Sequence, residues 1–214
     1  MSKAHGLVPT LALTGLLTAP AAQAALFDFA ALAADNERGA PSLEFEAGGI
    51  ELTATGFSTD GSIPYNAYLD GPYVGRAGGL GVCKVLDGDE CTPSNDDNLN
   101  HEEMLRLTFV QEVNIEQMLF RDAEHFASFD EDADFLISID GGEYKPYPLV
   151  HEFNELLTGT IFEIIANGDG DELYLSQMTV SRLPFSVPEP ASRGLLGLGL
   201  GVLGWHRRQR KVPA

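Results

Sequence analysis

Residues 135–143 read Phe135-Leu136-Ile137-Ser138-Ile139-Asp140-Gly141-Gly142-Glu143. Phe135, Ile137 and Ile139 fall on every second position, the period of a strand with one buried face. The run ends in a pair of glycines, which accept the positive φ of a tight hairpin turn. The same period extends outward from this stretch. Upstream, Leu105, Leu107 and Phe109 alternate with Arg106 and Thr108, and Val113 and Ile115 resume after a short polar break. Further upstream, Leu43 and Phe45 alternate with Glu44 and Glu46, Gly48-Gly49 marks a turn, and Ile50, Leu52 and Ala54 take up the alternation again, which predicts a hairpin. Downstream, residues 160–166 and 173–180 are two further apolar runs, separated by Asn167-Gly168-Asp169-Gly170-Asp171. Short strands, Gly/Asp/Asn turns and hardly any 3.6-residue periodicity predict an all-β fold, an antiparallel β-sandwich or jelly roll. Within the body, helix is expected only over Phe27 to Ala34. The stretch from Ser58 to Asn100, with Pro64, Pro72, Pro93 and many glycines, breaks the pattern. It reads as a long functional loop, or as one or two irregular strands such as Tyr68 to Val74.

The two ends differ from this middle. Lys3 precedes an apolar stretch from Leu7 to Leu17, and Ala22-Gln23-Ala24 supplies the small-x-small end of a secretory signal, so residues 1–24 are expected to be a signal peptide cleaved before Ala25. At the other end, Val187-Pro188-Glu189-Pro190 leads into a Gly/Leu-rich stretch from Gly194 to Trp205, followed by His206-Arg207-Arg208-Gln209-Arg210-Lys211. Pro190 suits a first helical turn and the basic cluster suits a last one, so one helix is expected from about Ala191 to Arg208. Its uncharged part would span about 18 Å at ~1.5 Å per residue, short of a ~30 Å hydrocarbon core, which makes it a marginal membrane anchor with its basic end in the cytoplasm. Residues 25–186 remain as the β-sandwich body and 187–214 as the tail.

This tail resembles the PEP-CTERM sorting signal: a Pro-Glu-Pro motif, a short membrane helix and an Arg-rich end. The resemblance implies that an exosortase-like processing enzyme is the partner and that Pro188, Glu189 and Pro190 are the sorting motif. It also implies a chain held first at the inner membrane, with its body in the periplasm, and later at the cell surface or in the extracellular matrix. The run Gly78-Gly79-Leu80-Gly81-Val82-Cys83, with Cys91 and Asn95-Asp96-Asp97-Asn98, is similar to a body type recurring among such proteins.

Charge narrows the function classes. The segment 25–190 keeps seven basic residues against all 32 acidic ones, a formal charge of −25. Nucleic acid is thereby excluded as a partner, because phosphate binding needs clustered Lys and Arg. A hydrated matrix or a cationic ligand suits such a body. Cys83 and Cys91 flank a Gly/Asp loop, and in an oxidising compartment that predicts a disulfide between them.

Asp130, Asp132 and Asp134 alternate, as do Asn167, Asp169 and Asp171, and Asp87-Gly88-Asp89-Glu90 lies near Asn95 to Asp97. Alternating oxygen donors of this kind either hold Ca2+, the one cofactor the sequence suggests, or simply solvate turns; neither run has an EF-hand's glycine and final glutamate. His101, His125 and His151 belong to no catalytic motif, and no catalytic residue is expected. The expected function is a non-enzymatic surface or matrix protein associated with exopolysaccharide or biofilm. The alternatives are a calcium-assisted glycan-binding module, with Tyr65, Tyr68 and Tyr73 as stacking residues, and a secreted glycan hydrolase.

Overall fold

The computed structural model describes residues 24–129, 133–149, 153, 155–168 and 172–183. The chain divides into two units, 1–182 and 183–214, and every element below belongs to the first. In chain order these are β1 (Ala24–Asp28), α1 (Phe29–Asp35), β2 (Arg38–Ala40), β3 (Leu43–Ala47), β4 (Ile50–Ser58), β5 (Pro64–Asp70) and β6 (Gly79–Cys83). They are followed by β7 (Leu86–Asp87), β8 (Glu90–Cys91), β9 (Glu103–Asp122), β10 (Asp134–Ile139), β11 (Lys145–Pro148), β12 (Leu157–Ala166) and β13 (Leu173–Arg182).

All ladders are antiparallel, as the hairpin spacing predicts. The Gly48-Gly49 turn joins β3 to β4 with Ala47 opposite Ile50, and both glycines have positive φ. In the β10–β11 hairpin the positive φ falls on Asp140 and Gly141, and Asp140 Oδ1 accepts from the N–H groups of Thr160 and Ile161 on β12, tying the turn to the next strand. The one helix among the described residues, α1, is capped by Asp28, whose carboxylate accepts from the Ala31 N–H at 3.0 Å.

β9 runs unbroken through Val110, Gln111 and Glu112. Its first half pairs with β4 and its second half with β13, while β12 lies along both across a bulge between Gly159 and Ile161. β13 also meets β6 at Leu175 and Leu80, and β6 pairs with β5, which pairs with β4. The ladders β13–β6–β5–β4–β9 thus return to β13, which closes a ring of strands and leaves fewer open edges. The core beneath is aromatic, with Phe27, Phe29, Phe45, Phe109 and Phe162 meeting mostly edge to face.

Of the two readings of Ser58 to Asn100, the strand alternative holds in part: amid loop the stretch contributes β5 and β6, two members of the ring, and the short β7–β8 hairpin. All five residues of β6 are buried, so the strand shows no alternation to read. Residues 1–23, with the expected signal peptide, and the expected membrane helix at 191–208 lie outside the described residues. Among the described residues no helix is long and apolar enough to cross a membrane.

Candidate functional site

Five segments remote in sequence converge at one end of the strand ring. Asp70 ends β5, and Gly71-Pro72-Tyr73 follows it. Asp97 and Asn98 precede the bridge that Leu99 makes with Leu173, and the Asn98 carbonyl accepts from the Val82 N–H of β6 at 3.1 Å. His125 sits in the turn after β9, Tyr174 lies on β13 with Glu172 just before it, and Glu37 leads from α1 into β2. Together with Ser94, Asn95 and Ala123 they line an open cavity of about 500 Å³.

The turn holding His125 is tightly specified. Asp122 Oδ1 accepts from the N–H groups of Glu124 and Phe126, Arg121 Nη1 donates to the His125 carbonyl at 3.0 Å, and Arg76 stacks over the Phe126 ring at 3.8 Å. His125 itself has φ +66°, a conformation that side chains other than glycine rarely adopt and that persists only where the surroundings impose it. Its ring lies edge-on to Tyr73 on one side and to Tyr174 on the other.

Inside the pocket, carboxyl groups crowd one another. His125 Nε2 lies 2.8 Å from Asp70 Oδ2, and His125 Nδ1 lies 3.3 Å from the Arg76 carbonyl. Tyr174 donates its hydroxyl to Asp97 Oδ1 at 2.5 Å, and the charge of Asp97 acts on Asp70 beside it. Burial first, and then the charges of Asp97 and Glu37, push Asp70 up to about 8. Burial also raises Asp97 to about 6, although the Tyr174 hydroxyl works against it. Burial lowers His125, which keeps the ring neutral near pH 7. With Asp70 protonated and the ring neutral, Asp70 Oδ2 donates to Nε2, while Nδ1 lies between the Arg76 carbonyl and the Tyr73 N–H, 3.4 Å away. One acceptor atom in the wall, Asn98 Oδ1, is buried and receives no hydrogen bond.

Most of these residues went unmarked in the sequence. Asp97 belonged to a noticed acidic cluster and Tyr73 to a noticed aromatic group, but nothing in their spacing links them to Asp70, His125 or Tyr174. The three tyrosines do not form one face. Tyr73 is 59% exposed at the pocket rim, whereas Tyr68 is 2% exposed and donates to Glu37 Oε1 at 2.8 Å, and Tyr65 packs on the core. Glu103, paired in the sequence with Glu102, is fully buried with Lys84 Nζ 3.2 Å from its Oε1, a structural ion pair. Cys83 and Cys91 are bonded to each other, their Cα atoms 5.9 Å apart, and with Tyr68 and Leu86 they form a small cluster behind the Ser94–Asn98 segment.

Of the acidic turns, Asp130, Asp132, Asp169 and Asp171 lie outside the described residues. Asp134 and Asn167 come together across the β10–β12 ladder, with Asn167 Nδ2 donating to Asp134 Oδ1 at 2.5 Å. Among the described residues no three His, Cys, Asp or Glu side chains are gathered to hold one metal ion.

The tail is settled by comparison. Residues 186–211 match the PEP-CTERM protein-sorting motif. The chain carries a PEP-CTERM sorting tail. Such a tail marks a protein exported across the membrane, anchored there and recognised by an exosortase. Its motif residues Pro188, Glu189 and Pro190 lie outside the described residues. No curated protein and no solved structure matches the chain.

Proposed function

We propose that this PEP-CTERM protein is a non-enzymatic component of the extracellular matrix, delivered by its tail and acting there by binding exopolysaccharide. The sorting motif at 186–211 carries the reading, because it makes the chain the substrate of a processing enzyme. On this reading residues 1–24 are a cleaved signal peptide, 25–186 a sandwich-like body that contains the Cys83–Cys91 bond, and 191–208 a temporary inner-membrane anchor. The body's acidity suits a hydrated matrix.

The test compares the full chain with a chain ending at Val187 in an exosortase-containing host. The full chain should reach the surface or matrix fraction and co-sediment with its polysaccharide without releasing reducing ends. The shortened chain should stay folded in the periplasm. Equal delivery of both, or turnover of the polysaccharide, would overturn the proposal.

A further inference from the structure

We infer that the pocket formed by Asp70, Asp97, Asn98 and Tyr73 binds a protonated amine on a sugar-like scaffold, that is, an amino sugar. The inference deepens the matrix reading and rests on it only for the scaffold. The wall offers acceptors nearly throughout. Glu37, Asp70, Asp97, Glu172, Asn95 and Asn98 line it, and no Lys or Arg is among the lining residues. The nearest cations are engaged elsewhere, Arg76 on the Phe126 ring and Arg121 on the His125 carbonyl.

One acceptor in the wall is left without a donor: Asn98 is 3% exposed and its Oδ1 receives no hydrogen bond, while Asp70, 7% exposed, has its Oδ2 against His125 Nε2. An unmet buried acceptor costs free energy until a donor reaches it, and an ammonium group brings three. The same ammonium would take the place of the proton that crowding now forces onto the Asp70–Asp97 pair, converting a repulsive pair of carboxyls into a charge-assisted site.

Size and shape favour an organic cation over a bare metal ion. A cavity of about 500 Å³ lies in the range of small-molecule sites, and the carboxylates are not gathered around one point as a metal requires. At the rim the exposed Tyr73 ring, held edge-on to His125, offers a flat face for a sugar ring or for cation–π contact with its ammonium.

Calorimetry on the full chain at neutral pH and low salt tests the assignment with four probes: the β-1,4-linked glucosamine dimer, its N-acetylated counterpart, cellobiose and calcium chloride. The glucosamine dimer should saturate one site, and the acetylated and neutral dimers should not. Asp70→Asn should weaken binding by about tenfold or more, the loss expected for one hydrogen bond to a charged group. Tyr73→Ala, at an exposed position, should weaken it without lowering the thermal midpoint. If Asp70→Asn fails to fold, the acetylation contrast and Tyr73→Ala still decide. Equal binding of the acetylated dimer, saturation by calcium alone, or indifference to Tyr73→Ala overturns the inference. None of these outcomes touches the delivery assay, so the matrix reading stands or falls separately.

Discussion

Asp70 and Asp97 make the body's stability depend on pH in an unusual direction. An exposed aspartate titrates near 3.8 and an exposed glutamate near 4.5, but burial, with the charges of neighbouring carboxylates, carries Asp70 to about 8 and Asp97 to about 6, and burial carries Glu103 to about 7. Between those ordinary and raised values the native state holds protons that the unfolded chain has released. Stability is therefore fullest near pH 4, is lost as pH rises to about 8, and is level above that. His125, also in contact with Asp70, acts the other way: with its pKa lowered below 6.5, the unfolded chain takes up the proton first, so it adds stability as pH rises through that region. One histidine opposes three acids, and the acids set the trend. Thermal melts of the ligand-free chain should show the midpoint falling from about pH 5 to about pH 8. In Asp70→Asn, where a neutral amide replaces the carboxyl, the slope should shrink and the variant should be the more stable protein at the alkaline end. A wild-type midpoint that rises over this range, or an unchanged slope in the variant, would refute the buried-acid account.

At the level of elements, β6 carries the close approaches on which the pocket depends. Gly79 faces the Leu175 carbonyl and Gly81 faces the backbone of Asp97 and Asn98, and a Cβ on Gly81 would overlap the Asp97 carbonyl oxygen. Gly81→Ala must push the segment bearing Asp97 and Asn98 away from the strand. Overpacking of this kind costs about 1–3 kcal/mol, which denaturant unfolding would resolve, and a wild-type midpoint would show that the strand and segment are not in contact. β6 also marks where the sequence stopped being legible. β3, β4 and β9 could be read because each buries one face and leaves Glu, Thr or Arg on the other, and β10 because Phe135, Ile137 and Ile139 recur at every second position. β5 and β6 could not, because the buried half of β5 and the whole of β6 lack a polar face, and glycines stand where other backbone passes. The Cys83–Cys91 bond followed from spacing within one loop. Glu37, Asp70, Asp97, His125 and Tyr174 come from five segments that only the closed ladder brings together, and no spacing along the chain records that.

Across the whole molecule, charge opposes compactness. Seven basic residues face 32 acidic ones in the segment 25–190, and several of the basic ones are already committed: Lys84 to Asp96 and Glu103, Arg106 to Glu163, and Arg182 to the Gly49 carbonyl. The remaining carboxylates repel one another over the surface, at distances that dissolved salt screens. The Debye length shortens from about 30 Å at 0.01 M to about 8 Å at 0.15 M, so most surface repulsion fades over that range. The committed pairs are shorter and partly buried, with Glu103 fully so, and lose less to the same salt. Repulsion should therefore weaken more than attraction, and sodium chloride raised over this range at neutral pH should increase the thermal midpoint of the chain. Sucrose at matched osmolality serves as the control, because it favours compact states without screening charge. A midpoint that falls with salt would mean that the few ion pairs outweigh the acidic surface. An increase matched by sucrose alone would mean that exclusion, and not charge, is responsible. A salt-specific increase would identify the native body as a strained polyanion that gains stability from cations, consistent with residence among cationic sugars.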